Sequence, residues 1–200
     1  MKNIPNQLTV SRIVLVFIFV LLASFDTTEN YTFHVSAGTA QICHVIALIV
    51  AVIAALTDLL DGYLARKLKV ESDFGRLVDP LADKIFVLAT YTMMVSYDLI
   101  PGWFLIIILA REFIVTGLRT LASAKGVIIA ADRWGKLKTA LQMSFLAIGG
   151  LSWINFLGFS VNKQPFAWLW WIFMGIVMII TISSGLGYFI KYKKLYMESI

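Results

Sequence analysis

Four aspartates stand in two pairs in the first half of the chain: Asp58 with Asp61, and Asp79 with Asp83. At 100° per residue a helix sets the first pair about 60° apart and the second about 40° apart, so each pair shares a face. Both pairs sit at the ends of apolar runs. A charged group inside a membrane span costs roughly 2.5–3.5 kcal/mol on insertion scales and is a functional candidate by default. Four gathered carboxylates need cations beside them, and hard divalent ions take oxygen ligands. The intervening residues suit such a site. Gly62 and Ala65 are small enough for a flat ligand to approach the helix backbone, and Gly75, one turn before Asp79, has the same use. Arg66 offers a fork that fits phosphate oxygens. Pro80 lacks a backbone donor and frees the Arg76 carbonyl. The plainer alternative is a pair of salt bridges, Asp61 with Arg66 and Asp83 with Lys84; four aspartates at this spacing, with glycines between, favour the metal reading.

A second group is cationic. Arg111 and Glu112 fall inside an apolar run and are expected to face the protein interior. Arg119, Lys136 and Lys138 flank the same side, and a cluster of this kind suits a dianionic phosphate on an acceptor. Lys125, Lys191, Lys193 and Lys194 read as anchoring charges. His34 and His44 lie away from the aspartates and read as packing or surface groups. The single cysteine, Cys43, excludes an internal disulfide framework and a cysteine-based zinc site, and reads as a small buried hydrophobe.

Positioning these groups falls to a very apolar chain. Of 200 residues, 60% are hydrophobic and 14% charged, against ~45–50% and ~25% in soluble domains. A soluble enzyme and a disordered chain are both excluded on composition. Six apolar stretches follow in order, Thr9–Phe25, Ala37–Arg66, Gly75–Tyr97, Pro101–Ala122, Trp134–Leu157 and Pro165–Lys191. A spanning helix requires ~20 residues, so six helices and short loops take up the chain. The first resembles a signal peptide, but five further spans favour an uncleaved helix. Met1–Leu8 is too short to span and is expected to lie at the interface before it. With Met1 inside, every Lys and Arg except Lys163 falls on the inner side, which satisfies the positive-inside rule. The net charge of +5 is therefore an orientation signal, and no nucleic-acid partner is expected. Gly149-Gly150, Gly185 and Gly187 are expected at points of close helix packing. The expectation is one all-α integral membrane domain over residues 1–200, with its site at the cytosolic ends of helices 2 and 3.

The aspartate segment reads D-x-x-D-G-x-x-A-R-x8-G-x3-D-x3-D, eight fixed residues over 26 positions. It resembles the signature of the CDP-alcohol phosphotransferase superfamily at every position. That resemblance implies six transmembrane helices, a homodimer, and two metal ions, Mg2+ or Mn2+, serving transfer of a phosphatidyl group from CDP-diacylglycerol to an alcohol. It also implies that Asp58 and Asp79 bridge both ions, that Asp61 and Asp83 each hold one, and that Asp83 is the general base. Gly62, Arg66 and Ser72 match positions that contact the cytidine diphosphate, with Ala65 and Gly75 alongside. Residues Asn3–Arg12, Arg111–Arg119, Gly135–Thr139, Ser184-Gly185 and Tyr188-Phe189 resemble the bacterial phosphatidylglycerophosphate synthase branch. The acceptor implied is sn-glycerol 3-phosphate, held by Arg111, Arg119, Lys136 and Lys138. The location implied is the bacterial inner membrane, multi-pass among membrane lipids, with both termini and the site cytosolic. Two alternatives stay open: another acceptor, such as inositol phosphate or phosphatidylglycerol, and an ion-coupled transporter, which would need its carboxylates nearer the midplane. The outer loop Asp26–Thr39 matches no pattern of the family.

Overall fold

The computed structural model describes residues 4–27, 33–68, 73–127 and 133–193, with side chains except at 4–6, 58–68, 73–77 and 79. Six α-helices lie among the described residues: α1 (Ile4–Ala23), α2 (Ala37–Leu68), α3 (Asp73–Ser96), α4 (Gly102–Ala124), α5 (Arg133–Trp153) and α6 (Phe166–Lys191). They match the six apolar stretches. Two are long and apolar enough to cross a membrane by length and composition, over Ala37–Thr57 and Phe166–Lys191. Large apolar side chains project outward along the helices, among them Phe17, Ile106, Trp168 and Ile190. Contiguous exposed apolar surface of this kind belongs in lipid or against a partner rather than in water. The chain divides into two compact units, Met1–Met94 and Val95–Ile200.

In the first unit α1 packs on α2. The buried positions of α1 are Thr9, Arg12, Val16, Phe19 and Ala23, and those of α2 are Ala40, His44, Ala47, Ala51 and Ala54. Both series step by three and four residues, which keeps them on one helix face. Four of the five α2 positions are alanine, so the two backbones can approach closely without a large side chain between them. The first helix begins earlier than the expected Thr9: Ile4–Leu8 are the first turns of α1 and run unbroken into the apolar stretch. Pro5 does not interrupt it, because the first turn of a helix has no use for the missing N–H. A pair of two-residue strands, β1 (Phe25–Asp26) and β2 (Phe33–His34), runs parallel beyond α1. Their Phe25 and Phe33 rings stack with centroids 4.8 Å apart. The buried His44 imidazole Nε2 sits 2.7 Å from the Phe25 carbonyl, a packing role as expected, while His34 is exposed.

The second unit holds α4, α5 and α6. Gly126, at φ +72°, turns the chain out of α4, a conformation that favours glycine. The α5 helix ends at Trp153, four residues before the expected Leu157, because Asn155 and Leu157 both adopt positive φ. One end of this unit is aromatic. Phe145 of α5 stacks on Trp170 of α6 at 4.0 Å and 11°, and Phe104 of α4 lies 5.3 Å from Phe145. The Trp170 indole N–H donates to the Leu99 carbonyl at 2.8 Å. Successive contacts ascend along α4 and α6 and descend along α5, so α5 runs opposite to the other two.

Candidate active site

The backbone of α2 is helical through Asp58, Asp61, Gly62, Ala65 and Arg66, and that of α3 through Gly75, Asp79 and Asp83. The spacing argument therefore applies: each aspartate pair shares a helix face. The side chains of Asp58, Asp61, Ala65, Arg66 and Asp79 lie outside the described ones, as does all of Ser72. Asp83 is described. The Arg12 guanidinium on α1 donates from Nη1 to Asp83 Oδ1 at 2.7 Å. The side chain of Arg12 is 2% exposed and that of Asp83 53%. Lys84, the partner proposed under the salt-bridge alternative, instead donates to the Pro80 carbonyl at 3.2 Å. In the sequence Arg12 stands out only by its inner-side charge and as the last residue of the Asn3–Arg12 stretch that resembles the family. Its helical register with Thr9, Val16 and Phe19 was the available signal that it faces inward.

A set of carboxylate oxygens on two helices suits a hard divalent cation rather than a soft one. Asp83 is half exposed and accepts a hydrogen bond from the buried Arg12 guanidinium. Its open carboxylate has the oxygen-donor chemistry that the metals implied by the family signature require.

The polar end of the second unit gathers groups from three helices. The buried series of α4 is Phe104, Ile108, Val115, Leu118 and Ala122, and Arg111 occupies the missing step between Ile108 and Val115. Its side chain is 10% exposed. Arg111 donates to Ser184 Oγ of α6 at 2.7 Å and to Glu112 Oε1 at 3.3 Å. Its buried Nε has no hydrogen-bond partner among the described residues. Lys138 of α5, itself buried, pairs with the same Glu112 oxygen. Arg119 donates to the Tyr188 hydroxyl at 3.0 Å. The Tyr188 ring lies under both guanidiniums, 5.9 Å from Arg111 and 5.4 Å from Arg119. Below this group Gln142 of α5 donates to Thr181 of α6 at 3.3 Å.

Arg111, Arg119 and Lys138 are thus brought together, and Lys136 is not. It is exposed, because two residues along a helix turn the side chain by about 200°. Glu112 and Tyr188 complete the cluster. Sequence reasoning placed Glu112 in the interior but gave it no partner, and met Ser184 and Tyr188 only as resemblance. Gly185 is a point of close packing as expected: a Cβ there would come within 2.9 Å of Arg111 Cγ. Gly187 is not, since a Cβ there would meet nothing within 4 Å. Three cations and one carboxylate leave the cluster with a formal excess of positive charge, and the unpartnered Arg111 Nε adds an unused donor. Both suit a multiply charged anion.

The first unit thus carries the paired aspartates on two helices, and the second carries a cationic cluster. Residues 2–183 match the family model for CDP-alcohol phosphatidyltransferase, and the chain belongs to this family. It is 39% identical over 193 residues to a CDP-diacylglycerol–glycerol-3-phosphate 3-phosphatidyltransferase of Bacillus subtilis (strain 168), covering 96% of this chain and 95% of that one. A protein of the same name from Rickettsia typhi is 33% identical over 196 residues, covering 94% of this chain and 96% of that one. One from Haemophilus influenzae is 39% identical over 158 residues, 76% of each chain. Membership of a transferase family argues against the ion-coupled transporter.

Proposed function

We propose that this chain is the enzyme that transfers the phosphatidyl group of CDP-diacylglycerol to sn-glycerol 3-phosphate, giving phosphatidylglycerophosphate and CMP. The observation that carries the choice of acceptor is the cationic cluster of Arg111, Arg119 and Lys138, in which Lys138 is buried, Arg111 half-buried and Arg119 exposed, in a chain whose relatives are named for glycerol 3-phosphate. An acceptor that already bears a phosphate gives those cations a charge to hold. An uncharged alcohol would leave their excess over Glu112 unmatched.

In this reading Asp58, Asp61, Asp79 and Asp83 hold two divalent ions, Mg2+ or Mn2+. Bound there, the ions supply neutralising charge for the pyrophosphate and make CMP a better leaving group. Gly62 and Ala65 leave room for the cytidine diphosphate, with Gly75 beside them, and Arg66 and Ser72 donate to it. Asp83 accepts the proton of the glycerol hydroxyl as its oxygen attacks the phosphorus that carries diacylglycerol. The bond from that phosphorus to the CMP oxygen breaks. The cationic cluster fixes the acceptor by its phosphate and so supplies orientation. Lys136, exposed and outside the cluster, acts on the acceptor only from its rim.

The wider organisation proposed is one domain over residues 1–200 spanning the bacterial inner membrane six times, with both termini and the site cytosolic. The one-sided distribution of Lys and Arg supports this, and so does a family match that runs across both compact units. A homodimer rests on the resemblance alone.

Arg119→Ala tests the assignment. Loss of a charged hydrogen bond to phosphate costs about 1.5–3 kcal/mol, which corresponds to a rise in the acceptor KM of roughly ten- to a hundredfold. The KM for CDP-diacylglycerol should stay near that of the unmodified enzyme. An unchanged acceptor KM would return Arg119 to a membrane-anchoring role.

A further inference from the structure

We propose that Arg12 is a positioning residue for the transfer reaction and acts through Asp83. The proposal rests on the reading that Asp83 takes the acceptor's proton.

Arg12 is the charged residue of α1, and it lies on the stripe Thr9, Arg12, Val16, Phe19 and Ala23 that α1 buries. A guanidinium removed from solvent in an apolar helix is unfavourable unless it is paired. Its pairing crosses 71 positions of sequence to Asp83 Oδ1. The asymmetry of the pair is informative. Arg12 is almost wholly enclosed, while more than half of the Asp83 side chain is open. A contact whose sole purpose was to join α1 to α3 would be served as well or better by two packed apolar side chains. Here the enclosed partner instead holds one oxygen of an accessible carboxylate and limits the rotation of that side chain. The planar guanidinium fork, anchored by packing along α1, gives a direction to the hydrogen bond that a flexible ammonium cannot. A proton acceptor must sit within hydrogen-bond reach of the hydroxyl it serves. Small errors in placement are expensive in rate while leaving substrate binding nearly unchanged.

The test uses the full chain, purified in lipid-containing detergent micelles, in four forms besides the unmodified one: Arg12→Met, Arg12→Lys, Asp83→Asn, and Arg12→Met with Asp83→Asn. Arg12→Met should lower kcat by about tenfold or more, with both substrate KM values within about twofold, since the loss falls on orientation. Arg12→Lys keeps the charge without the fork and should recover part of that kcat. In the Asp83→Asn background, the further change Arg12→Met should alter the residual rate by less than about twofold, because the group through which Arg12 acts is already gone. Two results would overturn the proposal alone: an unchanged kcat in Arg12→Met, or an equal loss from Arg12→Met in both backgrounds. Should Arg12→Met not fold, Arg12→Lys combined with Asp83→Asn closes the same cycle and decides between the same outcomes. If Asp83→Asn retains full turnover, the reading of Asp83 as base fails, and the role of Arg12 fails with it.

Discussion

Asp83→Asn should keep much of its metal and CDP-diacylglycerol binding and lose turnover by at least the ~10²-fold typical of a general base. Asp58→Asn should lose binding and turnover together. The difference follows from place and chemistry. Asp83 lies one turn further along α3 than Asp79, about 6 Å at 1.5 Å per residue. Its side chain is open on one side and paired with Arg12 on the other. Asparagine preserves the shape and one oxygen, so a ligand role survives in part, but the amide does not accept the proton. Asp58, proposed to bridge both ions, has no such division of roles. Calorimetric titration of magnesium with CDP-diacylglycerol into each variant, beside a CMP-release assay, separates the two. If Asp83→Asn binds as poorly as Asp58→Asn, Asp83 is chiefly a ligand and the base lies elsewhere.

Chelation of divalent cations should abolish turnover, and Asp79→Asn should leave a folded, membrane-inserted protein without measurable activity. Four carboxylates on two helices repel one another unless cations lie among them. A substrate pyrophosphate brought to the same place adds more negative charge. In the proposed site, divalent ions offset both. Activity should return on adding back magnesium or manganese to the chelated enzyme, but not in Asp79→Asn. Size-exclusion profile and thermal midpoint of the variant, matched to the unmodified protein, establish that the loss is chemical. Substantial turnover in excess chelator would contradict the two-metal site.

Much of this architecture was legible in the order of residues. Six apolar runs of spanning length became six helices, because each is long enough to satisfy its own backbone and is bounded by polar segments. The ends were less legible. Nothing at Ile4–Leu8 stops a helix, so α1 extends ahead of the apolar run that marks it in the sequence. At Asn155 and Leu157 the left-handed conformation carries no glycine to announce it. The strand pair at Phe25–Asp26 and Phe33–His34 is too short to leave a pattern. Of the site, the aspartate pairs were visible because both partners of each pair lie within one helical turn. The Arg12–Asp83 and Glu112–Lys138 pairs were not, since they join residues 71 and 26 positions apart, and pairing at that range is decided by helix packing. The separation of Lys136 from Lys138 was available from helical geometry alone, as neighbours two apart face opposite ways.

The measurement that bears most directly on the account is release of CMP from CDP-diacylglycerol by the purified chain, with a panel of acceptors at equal concentration: sn-glycerol 3-phosphate, glycerol, inositol phosphate and phosphatidylglycerol. The account predicts rapid release with sn-glycerol 3-phosphate, with formation of phosphatidylglycerophosphate in equal amount. Glycerol should support at most about a hundredth of that kcat/KM, since it lacks the phosphate that Arg111, Arg119 and Lys138 are proposed to hold, a loss of roughly 3 kcal/mol or more. Faster release with another acceptor, or equal rates with glycerol and sn-glycerol 3-phosphate, would contradict it.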